Sequence, residues 1–176
     1  MSNPSPKPGL PPGFLIRPAN AHDTATILGF IRALATYERL LHEVVATEEM
    51  LRDTLFGPTP RAEVVLAELD GRPVGFALFF HNYSTFLAKP GIHLEDLFVL
   101  PEFRGQGFGK ALLLHVARLA HQRGCGRYEW AVLDWNEPSI RFYKSLGAQP
   151  LDDWMLMRVT GEGLKHMAKV GRNLQP

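Results

Sequence analysis

The chain has 176 residues, 45% of them apolar and 21% charged, with a formal net charge of +1. That length suits one domain with a real core, and the near-neutral balance gives no case for nucleic acid or an anionic membrane as partner. A single cysteine, Cys125, excludes an internal disulfide framework and fits a reducing, cytoplasmic setting. No run of about eighteen apolar residues occurs, so no membrane span is expected.

In chain order, residues 1–13 carry Pro4, Pro6, Pro8, Pro11 and Pro12 and no continuous apolar segment. A mobile extended tail is expected there rather than a secretory signal, followed by a domain over 14–170 and a short tail at 171–176. A first strand at 14–17 turns through Pro18, Ala19 and Asn20 into a helix capped between Asn20 and Asp23. Ile27, Phe30, Ile31, Leu34 and Leu41 fall on one stripe of that helix, with Tyr37 and Glu38 near its end. Thr47, followed by Glu48 and Glu49, opens a second helix through Phe56, which Gly57-Pro58 stops.

Residues 63–69 and 73–80 are β-like, and Asp70-Gly71 between them predicts an antiparallel hairpin. A loop over 81–91 leads to a strand holding Glu95. Pro101 stops its apolar end, a glycine-rich turn follows, and a helix from about Phe108 to Gly124 turns Leu112, Leu113, Val116, Leu119 and Ala120 inward. The apolar run at 128–134 predicts a strand buried on both faces, hence central. Asn136 caps a further helix that Gly147 ends, and a last strand at 154–159 precedes a short helix at 162–169. The order is that of a mixed α/β domain.

The stretch from Leu94 to Lys110 reads as strand, loop, helix. Gly105, Gly107 and Gly109 let the backbone approach a ligand closely and leave N–H groups open at a helix N-terminus, a nest for phosphate. Arg104 and Lys110 flank it and can add charge-assisted bonds. The dinucleotide fingerprint fails because Lys110 stands where its third glycine belongs, and the P-loop fails because Ala111 follows Lys110. Arg-x-x-Gly-x-Gly, filled by Arg104, Gly107 and Gly109, resembles the acyl-coenzyme A pyrophosphate loop of the GNAT superfamily of N-acetyltransferases.

Leu94-Glu95-Asp96-Leu97-Phe98-Val99, Trp135-Asn136-Glu137-Pro138-Ser139-Ile140 and Phe142-Tyr143-Lys144 extend the likeness. With Ile16-Arg17-Pro18-Ala19 and Leu34-Ala35-Thr36-Tyr37-Glu38, they resemble the diamine branch, which includes spermidine/spermine and thialysine acetyltransferases. The resemblance spans residues 14–167. It implies a single α/β domain with a mixed central β-sheet flanked by helices on both faces, acetyl-CoA as co-substrate, and a homodimer to which the C-terminal strands contribute. It also implies that Arg104, Gly105, Gln106, Gly107, Phe108, Gly109 and Lys110 hold the diphosphate. The backbone of Leu97, Phe98 and Val99 would hold the acetyl carbonyl, and Asn136, Ser139 and Tyr143 would meet the cofactor arm.

A primary alkylamine has a pKa near 10.4, so at neutral pH only about one molecule in a thousand is nucleophilic, a penalty of roughly 4 kcal/mol. A carboxylate, directly or through water, is the simplest acceptor of that proton. Strand alternation puts Glu95 on one face with His93 and Leu97, and the resemblance sets the thioester beside this strand, making Glu95 the expected base. Tyr143, protonated at neutral pH, is the expected acid for the leaving thiolate. By the same resemblance Glu38, Glu95, Asp96, Glu129 and Asp152 or Asp153 would attract a small cationic amine, and Tyr37 would stack on its alkyl chain.

The loop Asn82-Tyr83-Ser84-Thr85-Phe86 lacks an acidic-aromatic pair that the diamine enzymes carry there, and the segment before Trp154 is shortened. A polyamine, another diamine and a lysine analogue therefore stand level as acceptors. The seven histidines form no metal pattern, so no metal is expected. Two alternatives stand beside this reading. One is the same chemistry on a protein lysine or N-terminus; the other is a noncatalytic acyl-CoA-binding sensor, which the pairing of Glu95 with Tyr143 disfavours.

Overall fold

The computed structural model describes residues 9–172, so the greater part of the expected N-terminal tail and the last four residues lie outside the described residues. Five strands, β1 Phe14–Pro18, β2 Glu63–Leu69, β3 Arg72–Ser84, β4 Lys89–Val99 and β5 Arg127–Trp130, form one sheet in the order β1-β2-β3-β4-β5. All neighbours are antiparallel except β4 and β5, which are parallel. The helices are α1 Thr24–Tyr37, α2 Glu48–Phe56, α3 Phe108–Gln122, α4 Glu137–Ser145 and α5 Gly161–Arg172. The chain divides into two compact units, Met1–Ala131 and Val132–Pro176.

In the first unit the strongest local signals fold as their chemistry dictates. Asn20 and Asp23 cap each other's backbone in a capping box ahead of α1, and Thr47 caps α2 by accepting from Met50 N at 3.2 Å. Asp70 and Gly71, both at positive φ, close the β2–β3 hairpin. Ile27, Leu28 and Phe30 of α1 and Leu51 and Leu55 of α2 are buried with Leu66, Phe76 and Phe98 of the sheet. Phe30 stacks on Phe76 at 5.5 Å. Burying such a ring contributes about 2–3 kcal/mol. On the other face α3 packs against β3 and β4, with Leu112 and Val116 fully buried and Phe108 stacked on Phe14 at 4.5 Å.

Several sequence expectations need correction. The loop expected at 81–91 is only four residues, because β3 and β4 stay paired down to Ser84 and Lys89; the polar residues there belong to strand ends that have outrun the core. Leu41 lies in a short 3-10 turn and is exposed, since α1 ends at Tyr37 and Arg39 takes φ 63°. The strand expected at 128–134 covers Arg127–Trp130, is exposed or half-buried throughout, and stands last in the strand order rather than at its centre.

The second unit holds α4, capped by Asn136 with Pro138 in its first turn, and α5. The strand expected at 154–159 is not formed: those residues belong to no strand, and Trp154, Met155, Leu156 and Met157 are exposed. No helix among the described residues is long and apolar enough to cross a membrane.

Candidate active site

The register of β3 against β4 decides where the acidic side chains go. Partners run Gly75↔Val99, Phe76↔Phe98, Ala77↔Leu97 and Leu78↔Asp96, then pass to Phe79↔Leu94 and Phe80↔His93. Glu95 is the extra residue of a β-bulge. Directly opposed residues share a face, so Asp96 joins Leu78, Phe76 and Phe98 on the α1 face, and His93 joins Phe80 there. Glu95 Oε2 lies 3.6 Å from His93 Nε2 on that face. Leu97, opposite Ala77, goes to the α3 face. The expectation that Glu95 shares a face with both His93 and Leu97 thus holds for His93 and fails for Leu97, because the inserted residue shifts the alternation by one.

The bulge has a second consequence. β5 pairs with β4 only from Gly91 to Leu94. Beyond that point, residues 95–99 of β4 have β3 on one side and, among the described residues, no strand on the other, as a bulge that bends and twists its strand would produce.

Three carboxylates meet at this place. Glu38 caps the C-terminus of α1, and burial raises its pKa. The half-buried Asp96 is pushed up to about 6, first by burial and then by the charges of Glu95 and Glu38. A carboxylate raised in this way by its neighbours' charges favours a cation as ligand. Glu129, also expected at the amine site, is engaged by its neighbours: Asn82 Nδ2 donates to it at 2.5 Å and Arg127 Nε lies 3.4 Å away.

Arg104 is not aimed at the glycine turn. Its Nε donates to Val99 O at 3.0 Å, and its guanidinium lies 4.9 Å from the Tyr37 ring centroid and 5.4 Å from that of Phe98. The ring expected to stack on an alkylammonium therefore stacks here on an arginine of the expected cofactor loop. This contact, worth about 0.5–2 kcal/mol, joins the end of α1 to that loop, and no sequence spacing announces it.

The turn itself is open. Gly105 and Gly107 take φ 75° and 88°. Among the described residues, a Cβ built on Gly105 would meet nothing, on Gly107 only Leu10 at 3.7 Å, and on Gly109 only Val99 at 3.8 Å. No side chain caps α3, so the first amides of that helix have no acceptor within it. The cradle fits a diphosphate. Phe108 contributes backbone alone, since its ring is buried against Phe14. Lys110 is exposed, and Gln106 Nε2 reaches Glu102 O at 3.4 Å.

In the second unit Asn136 Oδ1 accepts from Ser139 N at 3.4 Å, so these two residues form the α4 cap. Tyr143 lies further along α4 with its ring 5.3 Å from that of Phe142. Asp152 is exposed in the turn after α4. Among the described residues no group of three or more His, Cys, Asp or Glu side chains could hold a metal ion.

The glycine cradle, the bulged acidic strand and the fold agree with one comparison above all: the acetyltransferase (GNAT) family matches residues 32–148. The chain belongs to this family. It is a GNAT acetyltransferase whose relatives transfer acetyl groups to amines. The thialysine N-epsilon-acetyltransferase of Bos taurus is 40% identical over 165 residues, which is 88% of this chain and 96% of that protein. The L-ornithine N5-acetyltransferase NATA1 of Arabidopsis thaliana is 36% identical over 200 residues, 88% of each. Among solved structures, an integron cassette protein from V. cholerae matches with a TM-score of 0.76 and 26% identity over 89% of this chain and 98% of its own.

Proposed function

We propose that this GNAT acetyltransferase acetylates the primary amine of a small dication, a diamine or a lysine-like amino acid, and that Glu95 is the base. The observation that carries the reading is the meeting of Glu38, Glu95 and Asp96 at the β4 bulge, just ahead of an open glycine cradle. Carboxylates collected there attract a polyamine or an ω-amino acid more than a neutral amine. The thialysine and ornithine enzymes among the relatives act on amines of this kind by name.

Acetyl-CoA, when bound, supplies an acetyl group activated as a thioester. The backbone of residues 104–110 would hold its diphosphate, and the backbone of Leu97, Phe98 and Val99, along the strand edge that β5 leaves, would receive the carbonyl. Asn136 and Ser139 are assigned to the cofactor arm. Glu95 removes the ammonium proton, Asp96 and Glu38 hold the distal cation, and Tyr143 is assigned the proton for sulfur. Glu129 and Asp152 are assigned to the amine as further acidic groups. A homodimer belongs to this reading, supported by the exposed Trp154, Met155, Leu156 and Met157, and so does a cytoplasmic setting, supported by the single cysteine.

A panel of spermidine, putrescine, ornithine, lysine and thialysine with acetyl-CoA, read by thiol release, tests the proposal. At least one dication should turn over much faster than butylamine. Glu95→Gln and Tyr143→Phe should each lower kcat about 100-fold or more with little change in acetyl-CoA affinity. A preference for butylamine, or an unchanged kcat in Glu95→Gln, sinks it.

A further inference from the structure

The carboxylates at the bulge select for positive charge, but they do not separate a diamine from an amino acid that ends in an amine. Both carry two ammonium groups at neutral pH. They differ by one group, the α-carboxylate, which the amino acid keeps and its decarboxylated diamine lacks. A site that tells them apart needs a fixed cation beside its acids.

We infer that Arg104 is that cation. Its backbone belongs to the glycine cradle, while its guanidinium binds the α-carboxylate of the acceptor, so that the substrate is a lysine-like amino acid rather than a polyamine. The inference rests on the amine site being the one at Glu38, Glu95 and Asp96, and it narrows the substrate of that same site.

The guanidinium stands on the face of the sheet that carries the acids. It lies 5.4 Å from the ring centroid of Phe98 and 4.9 Å from that of Tyr37. Phe98 shares the α1 face with Asp96, two residues and so about 7 Å further along β4, and Tyr37 precedes Glu38 at the end of α1. With Nε donating to Val99 O at 3.0 Å, the two Nη groups have no acceptor among the described residues. A planar pair of N–H donors matches the two oxygens of a carboxylate. Arg104 and Tyr37 are both exposed, so a ligand can reach them. A freely moving surface arginine would hold a carboxylate weakly, but this one is already ordered by a hydrogen bond and two rings, and loses less freedom on binding. The same charge acts against a polyamine, whose further ammonium groups would meet it beside Asp96. In an amino acid the α-ammonium and α-carboxylate, one carbon apart, answer Asp96 and Arg104 together.

The test compares each amino acid with the diamine left when its α-carboxylate is removed, using the full chain at pH 7 and saturating acetyl-CoA: ornithine with putrescine, and lysine with cadaverine. In the better-used pair, wild type should favour the amino acid at least tenfold in kcat/KM. Arg104→Gln should bring that ratio to within about twofold of one. Damage to the cofactor loop lowers both substrates alike and cancels in the ratio. Tyr37→Leu, which removes one of the two rings that hold the guanidinium, should lower the ratio about threefold. The wild-type comparison needs no variant, so it stands even if Arg104→Gln does not fold. A diamine used as well as its amino acid by wild type, or a ratio unmoved in either variant, overturns the assignment. If acetyl-CoA binding weakens in Arg104→Gln while the ratio stays, the guanidinium serves the diphosphate instead. If no dication outruns butylamine, the amine site itself falls; if putrescine or cadaverine outruns every amino acid, the amine site stands and only the carboxylate contact of Arg104 falls.

Discussion

A single inserted residue turns an ordinary strand into an acid-lined site. Without the bulge at Glu95, regular alternation would carry Glu95 and Asp96 to opposite faces of the sheet; with it, both are associated with the α1 face, where Glu38 waits at the helix end. Asp96 bears the consequence, its pKa raised to about 6 by burial and by Glu95 and Glu38. The amine stays cationic throughout this range, so any loss of amine affinity near pH 6 belongs to the protein. Steady-state kinetics should show the amine KM rising about tenfold between pH 7 and pH 5 as Asp96 takes up a proton. Asp96→Asn should have a high KM already at pH 7 and a flatter profile. A wild-type KM constant across that interval would remove Asp96 from the amine site.

The turn between β4 and α3 invites a test at the scale of elements. Gly107 sits at φ 88° with, among the described residues, only Leu10 near its absent side chain, so Gly107→Ala suffers backbone strain of about 1–2 kcal/mol rather than a clash. Gly124, at the other end of α3, has φ 68° and nothing within 4 Å of a built Cβ. Thermal melts should therefore show similar losses for Gly107→Ala and Gly124→Ala, while titration calorimetry should show acetyl-CoA affinity falling at least tenfold for Gly107→Ala alone. Equal affinities in the two variants would mean that the cradle does not hold the diphosphate. This turn was legible from residues alone because its glycines and the helix after it are local signals, as are the Asn20, Thr47 and Asn136 caps and the Asp70-Gly71 hairpin. The bulge was not: two adjacent acids in an apolar strand hint at an irregularity, but register is set by how β4 pairs with β3, which the residues of β4 alone do not fix. The same holds for the stacking of Arg104 on Tyr37, and for β5, whose apolar residues suggested a central strand that pairing on one side only does not provide.

For the whole molecule, the titrating carboxylates pull stability in opposite directions. Arg17 hydrogen-bonds Asp23 at 2.8 Å and Arg123 holds Glu63, lowering both pKa values. Their contribution is present above the unfolded-state values and is lost as pH falls through the depressed folded ones. Asp96 acts the other way. Its folded pKa is raised, so its relative stabilisation is complete below about 3.9 and disappears as pH rises through about 6. At pH 8 the wild type holds an ionised Asp96 among like charges; at pH 4 it does not. Discounted for its partial exposure, that difference is about 1–2 kcal/mol. Asp96→Asn should then melt about 3–6 °C above wild type at pH 8, with the gap closing toward pH 4, while both proteins lose stability together as Asp23 and Glu63 protonate. The difference between the two proteins isolates Asp96 from every other titration. A variant that gains as much at pH 4 as at pH 8 would show that its stability comes from something other than relieving charge, and that Asp96 is not held ionised against the fold.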